Sequence, residues 1–285
     1  MSFFIFGIFI IMKFETKEGF TEEGTPDMKY YAFDWDDNLM FMPTKIVLKD
    51  DNGNEVGMST EDFAHHRTEI GKQPFEYEGK TIVGFAEDPF RNFRTEGDKD
   101  FLIDAMRAKL GPAFNDFKEA INNGSIFSII TARGHNPNTL KQAVYKLIKN
   151  NVGGLNQEKL VESLKKYRDF TGEDIKDDDT MIKEYLDMCR FHPVSFGTGS
   201  EANPEEGKIN ALREFIGYCK DLANKVGGKV LFKNDVSNNF VVPSIGFSDD
   251  DERNVEKVKE FLNKEFGLEH PVTTYLTKSQ TKTKY

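Results

Sequence analysis

Residues 29–38 read KYYAFDWDDN. From Tyr30 to Phe33 the run is apolar and aromatic, the composition of a strand packed in an interior. It stops abruptly on carboxylates: Asp34, Asp36 and Asp37. Further runs of the same kind follow at SIFSIIT (125–131), FHPVSFGT (191–198), VVPSIGF (241–247) and HPVTTYLT (270–277). Segments with helical spacing stand between them: DKDFLIDAMRAKL (98–110), PAFNDFKEAINN (112–123), NPNTLKQAVYKLIKNN (136–151), PEEGKINALREFIGYCKDLANKV (204–226) and DERNVEKVKEFLNKEF (251–266). Strands alternating with helices predict an α/β, three-layer, Rossmann-like domain with a mostly parallel sheet. Such sheets gather ligands at the carboxyl ends of their strands. The residues immediately after each apolar run are therefore the candidates for function.

Around this frame the chain divides into three parts. Residues 1–28 hold the apolar run MSFFIFGIFIIM followed by a polar linker. Its 12 residues fall short of the about 20 that cross a bilayer, and no basic residue precedes Lys13, as a secretory signal would need. Residues 29–276 form the domain, with insertions at 59–98 and 151–190. The tail, 277–285, is basic and is expected to fray. Within the domain, TKIVLKDDNGNEVGM predicts a hairpin about Asn52-Gly53. Ser59 to Asp62 predict a capped helix start, and 70–98 an irregular cover. Asp177-Asp178-Asp179 reads as a solvated helix start.

Composition narrows the function. Lys and Arg number 38 against 48 Asp and Glu, a net charge of −10. An acidic chain is a poor general binder of nucleic-acid backbone. Two cysteines, Cys189 and Cys219, exclude a disulfide scaffold and a four-cysteine zinc site and fit a reducing, cytoplasmic setting.

Four elements stand at or near the strand ends: Asp34 to Asn38, Thr131 within ITARG, Lys208 near a helix start, and Asp249-Asp250-Asp251. Phosphoryl transfer needs this set. A carboxylate can attack phosphorus and form an acyl-phosphate. A second carboxylate two residues on can move a proton to the leaving oxygen and from water. Carboxylates on separate loops can hold Mg²⁺, which prefers oxygen ligands. A hydroxyl and an ammonium can hold phosphoryl oxygens.

The order DWDDN, IIT, a Lys at a helix start and FSDDD is similar to the motifs of the haloacid dehalogenase-like (HAD) phosphohydrolases. The resemblance spans Asp34 to Asp251. It implies that Asp34 is the nucleophile and Asp36 the general acid/base, which also lends its backbone carbonyl to the metal. Thr131 and Lys208 would bind the phosphoryl group, and Asp249 and Asp250 would complete a Mg²⁺ site with Asp34. The hairpin at 45–58 would be a movable flap, and the insertions 59–98 and 151–190 small caps. Two positions depart from the family. Asn38 stands where Thr or Val is common, and Asp37 where Gly is common.

Other residues invite a role. Arg133 could meet a substrate phosphate, and His135 could touch substrate. Trp35 reads as packing over the loop. His65-His66 are adjacent and cannot share a helix face. Arg91 to Arg94 form a basic-aromatic knot. Asp251 reads as the N-cap of the following helix. The expectation is a Mg²⁺-dependent phosphomonoester hydrolase acting on a small phosphorylated substrate, a nucleotide or a nucleic-acid 3′-phosphate. Its rivals are transfer to an acceptor other than water and a binding module that has lost turnover. Four acids at one sheet edge also imply that removing Asp249 relieves repulsion in a metal-free site.

Overall fold

A computed structural model describes residues 28–171, 173–197, 203–225, 243–267, 270, 272–278 and 281–285. The apolar run 1–12 and the linker up to residue 27 lie outside the described residues.

In chain order the strands are β1 (Met28–Phe33), β2 (Met40–Phe41), β3 (Ile46–Asp50), β4 (Glu55–Met58), β5 (Phe75–Tyr77), β6 (Lys80–Phe85), β7 (Lys109–Leu110), β8 (Phe127–Thr131), β9 (Arg190–Pro193), β10 (Pro243–Asp249), β11 (Val272–Lys278) and β12 (Thr281–Lys284). The helices are α1 (Thr60–His66), α2 (Asp98–Ala105), α3 (Phe114–Asn122), α4 (Pro137–Lys149), α5 (Gln157–Thr171), α6 (Asp178–Met188), α7 (Pro204–Lys225) and α8 (Glu252–Phe266). The main sheet runs β12-β11-β10-β1-β8-β9. All its neighbours are parallel except β12, which pairs antiparallel with β11. The chain leaves β1 toward β8 and β9, then returns to β10 on the other side. That reversal puts the topological switch beside β1, where open α/β sheets bind ligands.

Alternation along β1 explains the layers. Tyr30 packs edge-on against Phe215 of α7, and Phe33 against Phe117 of α3, on opposite faces of the strand. Helix α7 packs on α8 over β8 and β10, while α5 bridges α3 and α6. Caps set the helix starts. Asn136 accepts from the Asn138 N–H with Pro137 in the first turn of α4, Asp177 caps α6, and Asp251 caps α8 through the Arg253 N–H.

Three expectations need correction. The segment 70–98 is not irregular. β5 and β6 join the hairpin β3-β4 in a four-stranded antiparallel sheet with a small core of its own, including Ile46, Leu48, Val56, Ile82 and Phe93. The turn between β5 and β6 places Glu78 and Gly79 at φ 47° and 73°. Two left-handed central residues make a tight hairpin, here without the Asn or Asp that usually announces it. The segment 151–190 is not a cap. Leu160, Leu164, Met181 and Tyr185 lie in the main core, and the Tyr185 hydroxyl donates to the Ser125 carbonyl at 2.7 Å. The tail does not fray over 281–284, because β12 extends the sheet edge, with Lys282 lying over the Tyr275 ring. A smaller difference lies at 98–110, where the helix stops at Ala105 and Lys109-Leu110 pair with β2. Among the described residues no helix is long and apolar enough to cross a membrane. Cys189 and Cys219 are buried and free.

Candidate active site

The site forms where β1, β10 and the first turns of α7 converge. The Asp34 N–H donates to the Ser248 carbonyl at 3.0 Å, which locks the end of β1 to β10. Lys208 reaches in from α7, and Gly207 makes the approach possible. A Cβ on Gly207 would come within 2.8 Å of the Val194 side chain, so any larger residue would push the helix away. The Lys208 ammonium lies 3.0 Å from Asp34 Oδ1 and 2.7 Å from Asp249 Oδ2, and all three side chains are buried. Asp249 is held further, since Oδ1 accepts from the Asp251 N–H and from Asn254 Nδ2, both at 3.0 Å. Asp34 Oδ1, by contrast, meets only the Lys208 ammonium that it shares with Asp249.

The electrostatics follow from burial and crowding. Burial pushes the Asp34 carboxyl up to about 8; Lys208 pulls the other way, and Asp249 and Asp36 add to the rise. Asp250, half-buried, is raised well above the usual carboxylate range by desolvation, then by Asp249 and Asp34. Burial works against the charge on Lys208, but Asp249 and Asp34 outweigh it and raise its pKa. One oxygen from each of Asp34, Asp249 and Asp250 lies within 4.8 Å of the others. Three carboxylates against one ammonium is an arrangement that a hard cation would relieve.

Asn38 has a definite structural role. Its amide nitrogen donates to the Asp34 carbonyl (3.0 Å), the Ser248 carbonyl (3.2 Å) and Ser248 Oγ (3.1 Å). Its amide oxygen accepts from the Thr277 hydroxyl at 2.8 Å. One buried side chain thereby ties the loop after β1 to both β10 and β11, which a Val could not do and a Thr could do only in part. Asp37 sits at φ 55°, the left-handed conformation that favours Gly. Asp tolerates it better than most residues. Burial, with Asp36 adding, pushes its carboxyl up to about 7. A cleft of about 420 Å³ opens beside Asp37 and Asp250, with Glu61, His65, Arg253 and Glu256 among its walls.

Thr131 ends β8, fully buried, and its Oγ1 accepts from the Arg133 N–H at 3.3 Å. Arg133 is turned away from solvent, and its guanidinium grips both oxygens of Asp36 at 2.7 Å. His135 is fully buried and bonded to Asp98, so it does not face substrate. Trp35 is fully buried against Phe101. His66 stacks on Phe75, and only His65 faces the cleft. Arg91 and Arg94 pair with Glu55 and Asp88, so the basic-aromatic knot is a set of surface ion pairs over a buried Phe93. What sequence reading missed is the Arg133–His135–Asp98 chain. Its only sequence signal is two polar residues after a strand, which any loop can show. No family model, curated protein or solved structure matches the chain.

Proposed function

We propose that the chain is a phosphomonoester hydrolase that works through an aspartyl-phosphate on Asp34. The observation that carries this reading is the state of the Asp34 carboxyl. It is buried at the switch point of the sheet, within 4.8 Å of oxygens of Asp249 and Asp250, and opposed by one ammonium that it shares with Asp249. Crowded carboxylates held against a single ammonium mark a place where a ligand or cation completes the site. In the reaction, an Asp34 oxygen forms a bond to phosphorus as the bond to the leaving oxygen breaks. Asp36 passes a proton to that oxygen and later takes one from the water that attacks the acyl-phosphate and frees Asp34. Lys208 and the Thr131 hydroxyl hold the phosphoryl oxygens as charge shifts.

The donor set fits Mg²⁺, because it is all oxygen and carries more negative charge than Lys208 balances. Asp34, Asp249, Asp250 and the Asp36 carbonyl would hold the ion, which supplies positive charge to the transferring group. Carboxylates line the open cleft beside the site at Asp37, Glu61, Asp250 and Glu256. They favour a small phosphomonoester, such as a mononucleotide, over a long nucleic-acid end, since a polyanion would be repelled. Hydrolysis of a broad panel of phosphomonoesters, with Mg²⁺ and with chelator, tests the reading. Release of phosphate that requires Mg²⁺ is expected, and no release from any member would overturn it.

A further inference from the structure

Arg133 leaves the end of β8 and turns its guanidinium inward, with its side chain 1% exposed. Nε and Nη2 each donate to one oxygen of Asp36 at 2.7 Å, and Nη2 also donates to the Thr44 hydroxyl at 3.1 Å. Nη1 lies 3.1 Å from His135 Nε2, and His135 Nδ1 lies 2.8 Å from Asp98 Oδ1. A neutral imidazole satisfies both contacts only with its proton on Nδ1 facing Asp98, which leaves Nε2 to accept from Arg133. Burial and then the neighbouring guanidinium push His135 below its ordinary pKa, with Asp98 opposing. Asp98 is fixed in turn by the Thr139 hydroxyl at 2.8 Å. The rings of Phe93 and Phe101 cover the guanidinium, with centroids 4.6 and 5.0 Å from its carbon. The Gly134 N–H donates to the Phe93 carbonyl at 2.8 Å and pins the loop to the turn at Arg91–Phe93.

Each part of this assembly restrains one motion of the Asp36 carboxylate. Two parallel N–H···O bonds set its plane and its distance. The His135 and Thr44 contacts stop the guanidinium from turning in its own plane, and the two rings stop it from tilting. A Lys would supply charge but no fork. We infer that Arg133 is a positioning residue for Asp36, and that its guanidinium sets the orientation from which Asp36 moves its proton. The inference rests on the hydrolase reading above. Its effect falls on kcat rather than on substrate binding, because four of its five N–H donors are already engaged. A displacement of about 1 Å in a catalytic group can cost about 10²-fold in rate.

The test compares wild type, Arg133→Gln, Asp36→Asn and the double variant on an aryl phosphate with Mg²⁺. Arg133→Gln should lower kcat about 10²-fold with KM changed less than about threefold. Added to Asp36→Asn it should cost less than about threefold more, since it acts through a group already removed. Arg133→Lys should recover at most about one-tenth of the lost rate. A raised KM, or a loss that multiplies onto Asp36→Asn, would make Arg133 a phosphate ligand and overturn the inference. If Arg133→Gln does not fold, Thr44→Val and His135→Gln each remove one restraint and should lower kcat at constant KM; unchanged kcat in both would also overturn it. Thermal unfolding of the four proteins reads the Arg133–Asp36 coupling without turnover. Coupling in stability alongside an inactive wild type would end the hydrolase reading and the positioning role with it. Turnover with additive losses would end the positioning role alone.

Discussion

Asp34 and Asp36 stand two residues apart and meet different surroundings. Asp34 shares one ammonium with Asp249 and sits near Asp250. Asp36 has a guanidinium to itself, with both oxygens bonded and the cation clamped between rings. Burial alone therefore says little about what an acid does. A carboxylate whose partners are complete is being held in place, whereas one short of partners leaves room for a phosphoryl group or a cation.

The sharpest way to break this contrast is Asp34→Asn. It removes the attacking charge at almost constant shape, and hydrolysis should fall to the level of the buffer while the circular dichroism spectrum stays the same. Activity near wild type would remove the aspartyl-phosphate. Asp36→Asn should cost about 10²–10⁴-fold, the usual weight of general acid–base help, and steady-state kinetics with Mg²⁺ reads the loss.

The metal cluster offers a third comparison, and here the structure reverses what charge counting implies. Asp249 is no free repelling charge, because it holds Lys208, the Asp251 N–H and Asn254. Asp249→Ala should lower metal-free stability by about 1–3 kcal/mol, since it leaves the buried ammonium with Asp34 alone and the Asp251 N–H and Asn254 amide without their acceptor. Asp250→Asn replaces a crowded carboxyl that lacks such partners and should leave the metal-free melting temperature unchanged or higher. Both variants should lose the stabilisation by Mg²⁺, which for wild type is about 2.7 kcal/mol at 100 times Kd. Calorimetry with Mg²⁺ and with EDTA checks all three proteins; a wild type indifferent to Mg²⁺ would leave the cluster without a cation.

The smallest effect expected is a pH slope. An unfolded Asp loses its proton near about 3.9, whereas native Asp34 keeps its own to about 8. Between these values the native state binds more protons than the unfolded state, so this contribution to stability falls as pH rises. In EDTA the melting temperature of wild type should fall between about pH 5 and pH 8 more steeply than that of Asp34→Asn. Equal slopes would mean that Lys208 alone keeps Asp34 ionised.

The strands and the acids at their ends were legible in the sequence because each apolar run closes on a change of chemistry. Phe33 gives way to Asp34, Ile130 to Thr131 and Phe247 to the acids after Ser248, and the structure puts these positions at one sheet edge. The insertions were less legible. Residues 75–85 carry mixed polarity because their strands bury one face over a small core, and Glu78-Gly79 turns them without a common turn signal. Residues 151–190 read as a cap insertion by the resemblance, yet Leu160, Leu164 and Tyr185 reach the main core.

Local pattern determined which residues enter strands and helices, because periodicity and caps act over a few positions. It also determined that Asp34, Lys208 and Asp249 would gather, because the ends of parallel strands lie at one edge. Only the tertiary structure decided how those charges pair. Arg133 reaches back 97 positions to Asp36, and Asn38 meets Ser248 and Thr277 across 210 and 239. Pairing energies depend on distances of a few ångströms and on the exclusion of water, and neither exists until the sheet, the helices and the antiparallel cover have closed around the site.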